Sequence, residues 1–260
     1  GWPLIRGVVV FLDSMVKGMK ALTYSADLLP EDEQEEPGKI DLWIEKHFGE
    51  EKAKDIIIGT AVVLGIALSI VLFILIPTLL AGLTKGFIHS PVVRNLFEGL
   101  LRIVIFLLYL WGVAHMKDVE RMFAYHGAEH KTIFCYEAGE ELTVENVRKQ
   151  GRFHPRCGTS FMFVLIIIAT IVSSIVFSII DITNPFLRML AHLILLPLVV
   201  GISYEFNRYA GRSESVISRA LRWPGLMIQH LTVFEPDDSM IEVAITAMKE
   251  VIPDDGSDEW

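Results

Sequence analysis

Charge is scarce in this chain, since charged residues make up 21% of its 260 residues and apolar residues make up 52%. Cysteine is rarer still, with only Cys135 and Cys157. No basic cluster with interleaved aromatic residues is present, so the sequence lacks the pattern typical of nucleic-acid-binding proteins. No secretory signal peptide is predicted, because no basic region precedes a short apolar core and a small-residue cleavage site. What remains is a series of long apolar runs, which predicts an integral membrane protein.

The net charge of −9 is concentrated in two segments. Residues 27–55 hold eleven acidic residues against four lysines, and four more acids follow Pro253. An acidic run of this kind is typical of a solvated segment. The sequence opens at Gly1-Trp2-Pro3 without a methionine, so we expect further residues upstream.

Four segments are long and apolar enough to cross the hydrocarbon core of a bilayer, which takes about 20 residues of helix. They are residues 56–83, 92–116, 160–180 and 185–204. Pro77 predicts a kink in the first of them. In the second, Arg94, Glu98 and Arg102 recur every four residues, which predicts a charge ladder near a membrane interface. The predicted fold class is therefore all-α, a polytopic protein with four transmembrane helices.

Basic residues are distributed unevenly over the connections between these spans. The connection between the second and third spans holds seven, and four arginines follow the fourth span. The other two connections hold only Lys85 between them. Basic connections stay on the cytoplasmic side, so both termini and residues 118–159 are predicted to be cytoplasmic.

Amphipathic segments flank the spans. Residues 4–22 place Arg6, Asp13, Lys17 and Lys20 on one stripe of a helix, which is typical of a helix at the membrane surface. Near the C-terminus, Ser239-Met-Ile-Glu242 is a capping-box pattern that predicts a helix ending near residue 251. The Trp223-Pro-Gly225 sequence predicts a break in the apolar stretch before it.

These patterns divide the chain into five predicted segments. An amphipathic helix and an acidic cytoplasmic segment (1–55) precede the first two spans (56–117). A cytoplasmic segment (118–159) separates them from the third and fourth spans (160–208). Cytoplasmic helices (209–260) follow.

The sequence His126-Gly-Ala-Glu129-His130 suggests chemistry. The second span is predicted to continue as one helix through Met122 to Tyr136. On that helix the two histidines, four residues apart, and Glu129 project from one face. Two histidines at this spacing can bind Zn²⁺, and a neighbouring glutamate can act as a general base. The pattern H-x-x-E-H is that of the inverzincin metallopeptidases.

A second pair of candidate ligands follows in His154-Pro-Arg-Cys157, at the turn that leads into the third span. Sulfur together with imidazole favours Zn²⁺ over Mg²⁺ or Ca²⁺. The predicted metal ligands are therefore His126, His130, His154 and Cys157, and the predicted catalytic residue is Glu129. Three further residues lie at the same predicted membrane face with roles that stay open: Cys135, Glu137 and Glu205.

The strings Y-H-G-A-E-H-K-T-I-F-C-Y-E from Tyr125 and F-H-P-R-C-G-T-S-F from Phe153 resemble the YqhQ family of bacterial membrane proteins. The similarity extends to L-I-R-G-V-V near the N-terminus and to E-P-D-D-S-M-I-E-V-A near the C-terminus. The resemblance implies a bacterial plasma-membrane protein and a metal-dependent enzyme, although it supplies no reaction. The glycine-rich stretch with which the family begins is absent here.

Three functions remain to be distinguished. The first is a metal-dependent hydrolase, of the peptidase kind, with Glu129 as base and Lys131 or Arg156 stabilising an oxyanion. The second is a non-enzymatic scaffold or assembly factor in which the metal is structural. A transporter is the weakest, because Arg188 and His192 are the only intramembrane candidates.

Coordination separates the first two functions, since a catalytic metal keeps an open position and a structural metal does not. The lipid bilayer is the one partner that the sequence predicts. The substrate is undefined, and a homo-oligomer stays open.

Overall fold

The structure is a computed structural model that describes residues 2–28, 38–180, 182–212 and 215–253. All regular secondary structure in these residues is helical, which confirms the all-α prediction. Residues 29–37 of the predicted acidic segment and the acidic tail from residue 254 lie outside the described residues.

The described helices follow one another along the chain with short connections. They are α1 (Ile5–Asp27), α2 (Lys39–Phe48), α3 (Glu50–Ile70), α4 (Ile76–Leu83), α5 (Pro91–Val113), α6 (Lys117–Glu137), α7 (Val144–Lys149), α8 (Gly158–Ile179), α9 (Pro185–Arg212), α10 (Val216–Thr232) and α11 (Asp238–Val251).

Four helical stretches are long and apolar enough to cross a membrane, as predicted. They are Lys52–Gly86, Pro91–Val113, Gly158–Ile179 and Pro185–Gly211. In the first, a π-helical turn at Val71–Leu75 joins α3 to α4, and Pro77 lies at the start of α4. Because proline has no N–H and its ring crowds the preceding turn, the irregularity falls one turn before Pro77 rather than at it.

The second span and the histidine motif are not on one helix, contrary to the prediction. Helix α5 ends at Val113, and α6 begins at Lys117 after an extended Met116. The His115 side chain contacts the Trp111 carbonyl oxygen at 2.6 Å and so occupies one of the last carbonyls of α5. Asp118 and Glu120 lie in the first turn of α6, where carboxylates stabilise a helix N-terminus. These residues therefore mark the end of α5 and the start of α6, which the apolar pattern alone does not reveal.

Two further local predictions were wrong in detail. Helix α10 continues through Pro224, because its amphipathic face packs in the tertiary structure despite a local cost of about 3 kcal/mol. The cap of α11 is Asp237 rather than Ser239: its carboxylate accepts the N–H of Met240 at 3.0 Å, and Ser239 donates to that carboxylate. The predicted end of α11 at residue 251 is confirmed.

The chain divides into two compact units. Unit 1 comprises residues 1–102 and 172–201, and unit 2 comprises residues 103–171 and 202–260. The core of unit 2 lies between α6, α7 and α11. Its fully buried apolar residues are Ala128, Cys135, Val147 and Ile241, with Ile245 beside them.

Unit 1 buries an ionic cluster at positions that the sequence predicted to be a ladder at a membrane interface. Glu98 and Arg102 are 3% and 6% exposed. Glu98 pairs with Arg102 on its own helix and with Arg188 on α9, and it lies 3.1 Å from the His192 ring. The expectation that Arg188 and His192 were the only intramembrane polar candidates was therefore incomplete, because tertiary packing brings Glu98 and Arg102 to them.

Candidate metal centre

The two motif histidines lie one turn apart on α6, with ring centroids 4.4 Å apart. His126 uses Nδ1 against the carbonyl oxygen of Thr232 at 3.0 Å. His130 uses Nδ1 against the carbonyl oxygen of Arg152 at 2.7 Å. A carbonyl only accepts, so each ring must carry its proton on Nδ1 when neutral. In this tautomer the lone pair of each neutral ring is on Nε2, as in histidines that bind a metal through Nε2.

Gly127, the glycine of the motif, lets another part of the chain pack directly against α6. The chain that follows α10 crosses α6 so closely that a Cβ on Gly127 would lie 2.0 Å from the Phe234 carbonyl oxygen. Phe234 in turn donates its N–H to the Phe123 carbonyl at 2.9 Å. This crossing fixes the end of α10 against α6 and brings the Thr232 carbonyl to His126.

Cys157 immediately precedes the first residue of α8 and is buried, at 7% exposure. Its Sγ lies 3.3 Å from Nε2 of His126 and 3.1 Å from the Thr159 hydroxyl. Ligand atoms of His126, His130 and Cys157 all lie within 4.8 Å of one another. Residues 31 positions apart in the chain are thus brought to one point.

The thiol of Cys157 is strongly acidified. Burial raises the pKa of Cys157, but hydrogen bonds with His126, His130 and Thr159 together outweigh burial and lower this pKa to about 5. Burial lowers the pKa of His126, and its interaction with Cys157 more than offsets this, so that the pKa of His126 is raised. The position just before a helix N-terminus also favours a thiolate. A thiolate, rather than a thiol, is the form that binds metals.

His154, the fourth predicted ligand, lies beside this triplet rather than in it. Its ring centroid is 5.6 Å from that of His130. Its Nδ1 accepts the N–H of Arg156 at 3.3 Å, so the neutral ring carries its proton on Nε2, which lies 3.5 Å from Glu137. Burial lowers the pKa of His154, against the opposing charge of Glu137, which keeps the ring neutral. In this tautomer His154 has no free lone pair for a metal.

Gln229 on α10 is a positioning residue that sequence reasoning missed. It is fully buried, and its side-chain amide bonds both backbone groups of His154: Oε1 accepts the N–H at 2.9 Å and Nε2 donates to the carbonyl at 2.7 Å. Nε2 also donates to Ser160 at 2.9 Å. These bonds hold both ends of the turn that carries Cys157. The one available signal was a glutamine within an otherwise apolar stretch of α10.

Glu129 is exposed and lines a groove of about 640 Å³ between α6 and α11. The groove is mostly apolar, with Val243, Met248 and Val251 on one side and Tyr125 and Glu129 on the other. The charge of Glu129 contributes to the raised pKa of His126.

The remaining candidates have other partners. Lys131 is buried, and its ammonium pairs with Glu235 at 2.6 Å and donates to the Arg148 carbonyl at 3.0 Å. Arg156 pairs with Glu137. Cys135 lies in the core of unit 2, with Sγ 3.6 Å from the Glu141 carbonyl. The donor triplet found in the described residues also leaves out Glu205, which is half-buried on α9.

One separation within the donor triplet can be compared with the spacing around a tetrahedral zinc ion. Zn–N bonds of about 2.0 Å and Zn–S bonds of about 2.3 Å place N and S roughly 3.5 Å apart around such an ion. The observed separation of His126 Nε2 and Cys157 Sγ is 3.3 Å. A lone pair on Nε2 of each neutral ring, an acidified thiol and a backbone carbonyl at each Nδ1 are features typical of zinc ligands.

Fold and site together define a polytopic, all-α protein with four membrane-competent helices and a His–His–Cys donor triplet in unit 2. Residues 2–254 match the family model described as "Protein of unknown function (DUF1385)", and the chain belongs to this family. Over 254 residues it is 33% identical to the uncharacterized protein YqhQ of Bacillus subtilis (strain 168). The aligned region covers 96% of this chain and 77% of that protein. The family resemblance predicted from the motifs is confirmed. No solved structure matches the chain.

Proposed function

We propose that this chain is a metal-dependent hydrolase, of the peptidase kind, at the cytoplasmic face of the bacterial plasma membrane. In this proposal His126, His130 and Cys157 hold Zn²⁺, and Glu129 acts as the general base. When bound, the ion would supply Lewis-acid polarisation of the scissile carbonyl and would make water more acidic.

One observation carries the proposal. Three donor atoms converge within 4.8 Å, while the fourth predicted ligand, His154, turns its lone pair to the Arg156 N–H. Three protein ligands leave one tetrahedral position open, which is the arrangement of catalytic rather than structural zinc sites. This supports the enzyme over the scaffold.

The position of Glu129 on α6 supports the proposed role of general base. It follows His126 by three residues on α6, so it flanks the histidine pair without joining it. Its carboxylate is exposed, and its charge contributes to the raised pKa of His126. It can therefore accept the proton of an attacking water molecule at its carboxylate oxygen and return that proton to a leaving amine.

In this proposal the groove between α6 and α11, which Glu129 lines, holds an extended substrate with apolar side chains. Val243, Met248 and Val251 supply apolar wall, and Tyr125 and Tyr136 supply aromatic rings with a polar tip. Lys131, the oxyanion stabiliser suggested by sequence, is already bonded to Glu235 and Arg148. We therefore assign no oxyanion role to Lys131.

A structural metal is the second candidate function. Its support is that the donor triplet joins α6 to the start of α8, and that the Thr232 carbonyl ties the end of α10 to His126. A metal at that point would hold three parts of unit 2 together, as metal binding does in small domains.

Metal content distinguishes the two functions. In the full chain purified without chelators, we expect about one Zn²⁺ per chain by elemental analysis. His126→Ala, His130→Ala and Cys157→Ala should each lose most of it, whereas His154→Ala should keep it. His89→Ala, at an exposed histidine, is the matched control. Absence of metal from the parent after incubation with Zn²⁺ overturns the site, and loss in His154→Ala equal to that in His130→Ala favours the structural role.

The variant Glu129→Gln tests the hydrolase proposal. This change keeps the shape of the side chain but removes its basicity, so we expect normal folding and metal content with loss of complementation in a deletion strain. Glu120→Gln, also exposed on α6, should complement fully. Full complementation by Glu129→Gln would contradict the hydrolase function and favour the structural role of the metal.

The cytoplasmic orientation has its own test. Both native cysteines are buried, so we choose exposed positions, His89→Cys between the first two spans and Lys149→Cys on α7. In intact cells an impermeant maleimide should label His89→Cys and leave Lys149→Cys unlabelled until the cells are lysed. The reverse pattern would invert the topology and place the site outside.

A further inference from the structure

The buried ionic cluster of unit 1 is held together by a single carboxylate. Oε1 of Glu98 accepts from the Thr78 hydroxyl at 2.8 Å and from Arg102 at 2.5 Å. Oε2 accepts from Nε of Arg188 at 2.9 Å. Arg188 also donates to Asn95 at 2.6 Å. Side chains from three membrane-competent helices therefore converge on Glu98.

This cluster carries more positive than negative charge. One carboxylate faces two guanidinium groups, all of them less than 10% exposed. Among the residues that the structure describes, the buried Nε of Arg102 has no hydrogen-bond partner. Buried charges and donors are expensive unless they are paired, above all in a membrane segment. Within the described part of the chain, the cluster therefore has one more positive than negative charge and one donor without a partner.

A cavity of about 220 Å³ adjoins this excess charge. Glu98 and Arg188 form its buried floor, while Lys85 and Thr183 lie on its exposed rim. Arg94, half-buried and one turn before Glu98, lines the same cavity. The described side chains of the cluster and the cavity wall thus bring three guanidinium groups and one ammonium group against one carboxylate.

We propose that this cavity is a binding site for a phosphate-type oxyanion, held by Arg94 and Arg188 with Lys85 at the rim. The cavity volume of about 220 Å³ is several times the volume that one water molecule occupies in the liquid. Guanidinium groups bind phosphate oxygens in pairs, and an ammonium group adds a point charge. Such an anion supplies the negative charge that the cluster lacks.

The phosphate group has two sources, an anionic lipid headgroup or a free phosphate compound. Leu79 and Leu83 on the wall are 44% and 78% exposed, so acyl chains have apolar surface beside the cavity. The connection that carries Lys85 is predicted to face outward from the basic-residue asymmetry. The site is therefore reached from the outer leaflet or the medium.

Two measurements on the full chain distinguish these sources. Native mass spectrometry of protein released from nanodiscs of phosphatidylcholine and phosphatidylglycerol reports retained anionic lipid. Equilibrium binding of radiolabelled inorganic phosphate to protein in pure phosphatidylcholine nanodiscs reports the free ion. We expect saturable binding of at least one probe by the parent protein. Lipid alone assigns a headgroup site, and phosphate binding assigns a site open to the medium.

Arg94→Gln is the decisive variant, because Arg94 is half-buried and outside the ion pairs of the cluster. It should fold normally by circular dichroism and weaken binding at least about tenfold, which corresponds to about 1.4 kcal/mol. Lys85→Gln should weaken it less. Arg219→Gln, an exposed arginine on α10 with the same change of charge, should leave binding unchanged. The proposal is overturned if neither probe binds the parent, if Arg94→Gln binds as the parent does, or if both arginine variants lose equally.

Discussion

Unit 1 and unit 2 each gather polar side chains that lie far apart in the chain, but they use them in opposite ways. In unit 1, Glu98, Arg102 and Arg188 bond mainly to one another. In unit 2, His126 and His130 bond to backbone carbonyls through Nδ1, and Nε2 of His126 lies 3.3 Å from Cys157 Sγ.

The difference follows from what each kind of group requires. Unpaired charges inside a membrane segment are costly, so guanidinium and carboxylate groups there must find one another. A neutral imidazole needs only one acceptor for its proton and can keep a lone pair for a ligand. The pairing of charges in the first cluster therefore contributes to folding, whereas the neutral rings of the second cluster keep a nitrogen that can accept a ligand.

The largest effect that we expect tests the folding role of the first cluster. Glu98→Gln removes the carboxylate that pairs with two buried guanidinium groups, which should destabilise the protein by about 3–5 kcal/mol. The measurement is the denaturation midpoint in mild detergent, with Glu120→Gln as the exposed control. If Glu98→Gln is as stable as the parent, the contrast between the two units fails.

A smaller loss should come from the clamp in unit 2. Gln229→Leu leaves the N–H and carbonyl of His154 unpartnered, and each unmet buried group costs about 1–3 kcal/mol. We expect a loss of about 2–4 kcal/mol by thermal unfolding. Gln150→Leu, at a surface glutamine bonded to Glu140, should have little effect. Equal stability of the two variants would show that unit 2 does not depend on Gln229.

The steric crossing at the histidine motif should contribute a further, smaller term. Gly127→Ala places a methyl group 2.0 Å from the Phe234 carbonyl oxygen, and overpacking of this kind costs about 1–3 kcal/mol. Gly112→Ala on α5 meets nothing within 4 Å and should be neutral or stabilising. The same assay compares them, and a Gly127→Ala protein with unchanged stability would show that the crossing relaxes without strain.

The smallest effect should come from an exposed ion pair of unit 2. Arg148 donates to Asp238 at 3.0 Å, but both side chains are more than half exposed. Solvent and salt screen such pairs, so Arg148→Gln should not shift the thermal midpoint measurably. Lys131→Gln, at a buried ammonium bonded to Glu235, should lower it. A large loss in Arg148→Gln would remove the distinction between buried and exposed charge.

By itself, the sequence determined the fold class, the four spans and the pairing of His126 with His130. These features depend on apolar runs and on helical periodicity, which are local properties of the chain. It also singled out Cys157, through a spacing pattern that suits a metal knuckle. Its predictions were wrong where local patterns compete, as at the break between α5 and α6 and at Pro224 in α10.

Only the tertiary structure decided which of these residues meet. Cys157 joins the histidines because Gln229 holds its turn and because Gly127 lets the chain after α10 cross α6. Glu98 and Arg102 are buried because Arg188 and His192 come from another helix. Such contacts join residues about 30 to 100 positions apart, and helical spacing carries no information about which helix a given face will meet.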